Sequence, residues 1–228
     1  MDPLILLDQA EAQGRIPRPT ARKVRLRMGY LNGAIERVQR ASGLKYPPYY
    51  IEPVLPIADT PGEYGQVGVL YARVIPTTMT GELAILVQFT AALIAYGTRT
   101  TIEAVAAHEF THYVDLVGRL SRANVLGDER ATTLYESSYA DADRTVPPKL
   151  LFAEKSLAGL ITRKFKDGLS DAGLNKKVSE YWIGKGLAVR RVKPEENVTR
   201  LGMGAVSSTQ FDPMVLAKVQ EIQGKMKT

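Results

Sequence analysis

Apolar residues recur at helical spacing over residues 22–42, where Val24, Met28, Leu31, Ile35 and Val38 form one stripe. Prolines and tyrosines at 46–50 end that helix. Three strands follow, predicted at 51–57, 67–75 and 83–90, with turn-rich segments at 59–65 and 77–81 between them. A second helical stripe, Ile102, Val105, Ala106, Tyr113, Val114, Val117 and Leu120, predicts a helix over 101–119. Thr100 or Thr101 can cap its start, Glu103 suits the positive end of its dipole, and Gly118 lies near its expected end. A turn over 121–127 leads to another helix at 128–143, stopped by Pro147 and Pro148. Beyond it the pattern predicts helix at 150–166, mixed structure at 181–206 with a short strand at 187–192, and a final helix at 211–227. The expected fold is α+β: a small mixed sheet over two helices, with a mainly helical C-terminal extension. The chain reads as a single domain, 1–228, with a core at about 1–146 and an elaboration at 147–228.

The helix over 101–119 carries the chain's only two histidines, in His108-Glu109-Phe110-Thr111-His112. Residues four apart on a helix share a face, so both imidazoles can grip one metal ion. Glu109 is placed to reach a water on that ion and act as general base. A single histidine on a helix face is ordinary. The intervening glutamate, and the small Ala106 and Ala107 beside the pair, favour a metal site.

Composition narrows the chemistry. The absence of cysteine excludes disulfides and thiolate metal sites. The N-terminal segment Met1-Asp2-Pro3-Leu4-Ile5-Leu6-Leu7-Asp8 lacks the basic start and apolar length of a signal peptide. The longest apolar stretch, 84–95, is interrupted by Gln88 and Thr90 and is too short to span a bilayer. A cytoplasmic protein without a membrane partner is expected. The net charge is +6, with basic clusters at 15–27 and around Arg190, Arg191 and Lys193. Such clusters either contact nucleic acid or form a solvated surface, and no nucleic-acid motif accompanies them.

A catalytic zinc takes three protein ligands and keeps one open position. With both histidines used, the third ligand must be a carboxylate or, less often, a tyrosine. The downstream candidates are Asp115, Asp128, Glu129, Glu136, Tyr139, Asp141 and Asp143. Asp115 sits three residues after His112 and either orients a neighbouring side chain or pairs with Arg119 at i+4. Glu129 follows the cap candidate Asp128, so the helix dipole alone explains it. Glu136 lies two turns into the same helix and leaves more chain for the reversal, which favours it as third ligand. Zinc suits two histidines and a carboxylate best, and other divalent ions fit the same donors.

Residues 50–145 resemble the gluzincin clan of zincin metallopeptidases, on the strength of His108, Glu109 and His112, a preceding edge-like strand and a later glutamate-bearing helix. The order of elements is similar to that of the very small archaeal gluzincins, in which a terminal segment occludes the cleft. The segment Leu134-Tyr135-Glu136-Ser137-Ser138-Tyr139-Ala140-Asp141 departs from the clan's glutamate-helix pattern: the aspartate falls five residues after the glutamate rather than four, and no asparagine precedes it. The resemblance implies a zincin-like fold and hydrolysis of peptide bonds by a zinc-activated water. His108, His112 and Glu136 would be the metal ligands, with Glu109 as the base. It implies that the strand at 83–90 binds an extended peptide by main-chain pairing. It makes Tyr139 the candidate donor to the oxyanion, against a reading as a packing tyrosine with a wet hydroxyl. Two readings compete: a zinc-binding protein without peptidase activity or with a latent site, and a basic module that binds nucleic acid.

Overall fold

The computed structural model describes residues 2–58, 68–79, 82–126, 145–166, 168–192 and 209–226. The predicted turn at 59–65 and the predicted helix at 128–143 lie outside the described residues, and with them Asp128, Glu129, Glu136, Tyr139, Asp141 and Asp143.

Helix α1 (Ile5–Ala12) leads into α2 (Arg18–Ser42). Pro17 and Pro19 stand at the start of α2, where a missing N–H costs nothing, and Gly43 ends it in the left-handed conformation at φ 72°. Every residue of the predicted α2 stripe is buried. The strand expected at 51–57 is two strands, β1 (Tyr49–Glu52) and β2 (Leu55–Ala58), which join different sheets. Pro53 breaks the ladder between them, and the Glu52 carboxylate accepts from Val54 N at 2.9 Å to fix the bend. The strand expected at 67–75 likewise divides, into β3 (Gly68–Val69) and β4 (Ala72–Met79). Strand β4 runs into the turn expected at 77–81.

Strand β5 (Glu82–Thr90) is the middle strand of the first sheet, in the order β1-β5-β4, parallel to β1 and antiparallel to β4. This corrects the expectation of an edge-like strand at 83–90. Its unbroken run Leu83-Ala84-Ile85-Leu86-Val87 suits a strand flanked on both sides. Gln88, the polar interruption in that run, is 2% exposed and bonds to Arg73 on β4 and to Glu52 on β1, so it pins the register of all three strands. The outer strands are β1 and β4, and β4 tolerates Pro76. The second sheet has the order β3-β2-β6, with β6 (Val189–Val192) parallel to β2.

Helix α3 (Ala91–Tyr96) connects β5 to α4 (Arg99–Leu126), the helix that carries the histidines. Thr98, rather than Thr100 or Thr101, caps α4, its Oγ1 accepting from Thr101 N at 3.0 Å. The helix also runs past Gly118 and through the segment expected to turn at 121–127 as far as Leu126. Gly118 is needed for close approach: a Cβ there would lie 2.8 Å from Val219 Cγ1 on α8 (Pro213–Met226).

The helix expected at 150–166 is two, α5 (Pro148–Leu151) and α6 (Lys155–Lys164). Between them Ala153 N donates to Ala41 O at 2.8 Å, and Glu154 pairs with Arg37. Helix α7 (Ala172–Val178) continues into a π-helical turn at Ser179–Ile183. That turn seats Trp182, fully buried, with its ring N–H donating to Ala188 O at 3.1 Å. One apolar core takes in Val24 and Leu31 of α2, Phe89 of β5, Phe110 of α4, Leu157 of α6, Trp182 and Val219. Residues on both sides of 146 therefore share it. Among the described residues no helix is long and apolar enough to cross a membrane.

Candidate metal centre

Helix α4 positions the two histidines. Its apolar side, with Ala106, Phe110, Val114 and Val117, is buried in the core, and Tyr46 from the end of α2 seals it. The Tyr46 hydroxyl donates to Ala106 O at 2.8 Å, and its ring stacks on Phe110 at 5.3 Å. Burial raises the Tyr46 pKa, and the charge of nearby Glu109 raises it further. Arg37 of α2 fixes the helix from another side through Glu103, at 2.7 Å. That pair gives Glu103 a partner across helices, beyond the dipole role its position suggested.

On the polar face the Nε2 atoms of His108 and His112 stand 3.0 Å apart, with the two rings at 86°. Two Nε2 donors in tetrahedral geometry around zinc, each at about 2.0–2.1 Å, are separated by roughly 3.3 Å. A shift of a few tenths of an ångström therefore suffices. Burial, and then the charge of His112, hold the His108 pKa down to about 3, so its imidazole is neutral and fit to ligate. The Thr111 hydroxyl donates to His108 O at 2.7 Å. Glu109 is only 6% exposed, on the flank of the pair facing Tyr46. The donor set thus fits a divalent ion with nitrogen preference.

Asp115 pairs with Arg119, Oδ2 to Nε at 2.7 Å, which is one of the two roles the sequence left open for it. Burial pushes its carboxyl up while Arg119, His112 and Arg122 pull it down. Among the described residues no third metal-ligating side chain joins His108 and His112. The ligand candidates Glu129 and Glu136, and the oxyanion candidate Tyr139, lie outside the described residues.

Two contributors escaped the sequence reading. Phe165, at the end of α6, lies flat on His108, centroid to centroid 3.7 Å with planes 11° apart. Asp171, the cap of α7, accepts from Thr101 Oγ1, about two turns before His108, and pairs with Lys164 at 3.2 Å. The C-terminal third thus forms one wall of the site. Tyr46 had been read only as part of a helix-ending segment, and nothing local in sequence ties Phe165 or Tyr46 to the motif.

Comparison with protein-family models, curated proteins and solved structures finds no match for this chain.

Proposed function

We propose that the chain is a zinc-dependent metallopeptidase of gluzincin type, with a zincin-like fold built around α4. The observation that carries this reading is the pair of Nε2 atoms 3.0 Å apart on one helix face with a buried glutamate between their residues. His108 and His112 would hold a zinc ion, which would supply a Lewis acid and lower the pKa of water at the open position. Glu109 takes the proton from the attacking water and passes it to the leaving amine. Glu136, from the helix expected at 128–143, would complete the ligand set. Among the described residues the outer side of β4 pairs with no strand and is the edge offered to an extended peptide; β4 packs toward α4, and one ladder position is forfeited at Pro76.

The stack of Phe165 on His108 favours a second reading, a metal protein whose cleft is closed until that segment moves. One experiment separates the two. Purified protein loaded with zinc is assayed on casein, with and without chelator, as wild type, Glu109→Gln and Phe165→Ala. The peptidase reading expects chelator-sensitive cleavage that Glu109→Gln abolishes while its zinc content stays at wild-type level. Activity only in Phe165→Ala identifies a latent enzyme. Absence of cleavage in all forms, with zinc bound, sinks the peptidase assignment.

A further inference from the structure

A second site lies at the N-terminal end of α4, about two and a half turns before His108. A cavity of about 700 Å³ opens between the start of α2, the α3–α4 junction and the turn after α7. Five cationic side chains line it, Lys23, Arg27, Arg99, Lys177 and Lys185, and no carboxylate does. Arg27 is engaged with the carbonyls of Ile94 and Gly97 at the end of α3. Lys23, Arg99, Lys177 and Lys185 have no carboxylate partner among the described residues, and Lys23, Arg99, Lys177 and Lys185 are all exposed. Elsewhere Arg25, Arg37 and Arg119 each hold an acid. Partial desolvation of Lys23, then the charges of Arg27 and Lys177, lowers its pKa, as expected where like charges crowd without a counter-ion.

The same cavity is lined by Tyr30, Tyr96 and Tyr181. Each carries a cation over its ring: Arg27 at 4.9 Å from Tyr30, Lys23 at 4.2 Å from Tyr96, and Lys185 at 5.5 Å from Tyr181. Tyr96 and Tyr181 stack on each other at 5.9 Å, and Tyr96 meets buried Trp182 edge to face at 6.5 Å. Tyr181 is 44% exposed and Tyr30 40%. Cations alone suit any anion. Cations alternating with exposed ring faces suit a ligand that alternates phosphates with aromatic planes. A base taking the outer face of Tyr181 displaces the Lys185 ammonium from the ring toward the adjoining phosphate. An acidic peptide would use the lysines and leave the rings idle, and a flat membrane surface does not enter a concave cleft.

We propose that this cleft binds single-stranded nucleic acid, phosphates on Lys23, Arg99, Lys177 and Lys185 and bases on Tyr30 and Tyr181. The site is independent of the metal centre. The sequence had shown the basic cluster at 15–27; folding brings two of its members together with cations of α4 and the α7 region.

The test is fluorescence anisotropy of a dye-labelled oligothymidylate of about twelve nucleotides, with the full chain in chelator so that metal plays no part. Expected is binding whose log K falls by about 0.7 per log unit of salt for each phosphate neutralised. Lys23→Glu with Lys177→Glu weakens it at least tenfold and flattens that slope. Tyr181→Ala weakens it about five- to a hundredfold with the slope unchanged, and Tyr181→Phe restores it. Arg190→Glu, on exposed β6, is the control and binds as wild type. No binding at low salt, wild-type affinity in the double charge reversal, or wild-type affinity in Tyr181→Ala each overturns the proposal. Equal affinity for a duplex of the same length also overturns it, since paired bases offer no free faces to the tyrosines.

Discussion

The middle and the N-terminal end of α4 handle polarity in opposite ways. Around His108 and His112 the polar groups are few, half-buried and hemmed in by Tyr46, Phe110 and Phe165. Around Arg99 they are many, exposed and of one sign. The first arrangement sharpens a small number of groups by withdrawing water, which keeps His108 neutral. The second holds like charges together in solvent, where screening makes their crowding tolerable. A single helix can therefore present a site for chemistry and a site for long-range attraction, because each draws on different surroundings.

The largest effect expected is on catalysis. Glu109→Gln should lower peptide hydrolysis by about two to four orders of magnitude while zinc content and oligothymidylate binding stay at wild-type level. Loss of binding in that variant would show that the two regions are one site. Next in size is Trp182→Ala, expected to destabilise the fold by about 3–5 kcal/mol in urea titration. Because Trp182 supports the ring of Tyr96 from 6.5 Å, this change should also disturb the cationic end more than the histidine site. An equal loss of zinc affinity would contradict that separation.

Asp171 bonds Thr101, which lies on α4 between Arg99 and the histidines. Burial raises its pKa, but hydrogen bonds from Thr101, Leu174 N and Lys164 outweigh this and leave it below the ordinary 3.8. A lowered carboxylate pKa means that its stabilisation is present above the unfolded value and is lost as pH falls through the folded one. Asp171→Ala should cost about 1 kcal/mol at neutral pH, in line with loss of a helix cap. The gap between variant and wild type should close in acid below pH 3.8. A gap independent of pH would assign the effect to packing instead.

The smallest effects oppose each other in sign. Gly159 on α6 has open space where a Cβ would go, so Gly159→Ala should stabilise by about 0.5–1 kcal/mol. Gly118→Ala places its methyl against buried Val219, and the clash should exceed the same helical gain, for a net loss of about 1–2 kcal/mol. Thermal melts of both variants read the difference directly.

What was legible in the sequence was what short-range periodicity encodes. The stripes of α2 and α4 came through because a helix buries one face at fixed spacing, and every predicted member of the α2 stripe is buried. The histidine pair came through because four-residue spacing is itself a geometric statement, and the Asp115–Arg119 pair for the same reason. The division of the 51–57 strand at Pro53 was misread, although proline's missing donor was there to see. The middle position of β5 was misread too, although its unbroken apolar run pointed to it. Gly118 was read as a stop because a packing glycine and a terminating one look alike until the crossing helix is placed. Phe165 over His108, Tyr46 under α4 and the cleft at Arg99 depend on contacts between distant segments, which no local pattern records.

The parallel pairing of β2 with β6 sets the order of events when the chain is made. Leu55 waits for Val189, so the second sheet cannot close until everything between them has been synthesised. The packing of α2 against α4 needs far less chain and can precede it. Until β6 arrives, β2 offers an unpaired edge to other nascent chains, and the time spent in that condition is the period of greatest exposure to aggregation.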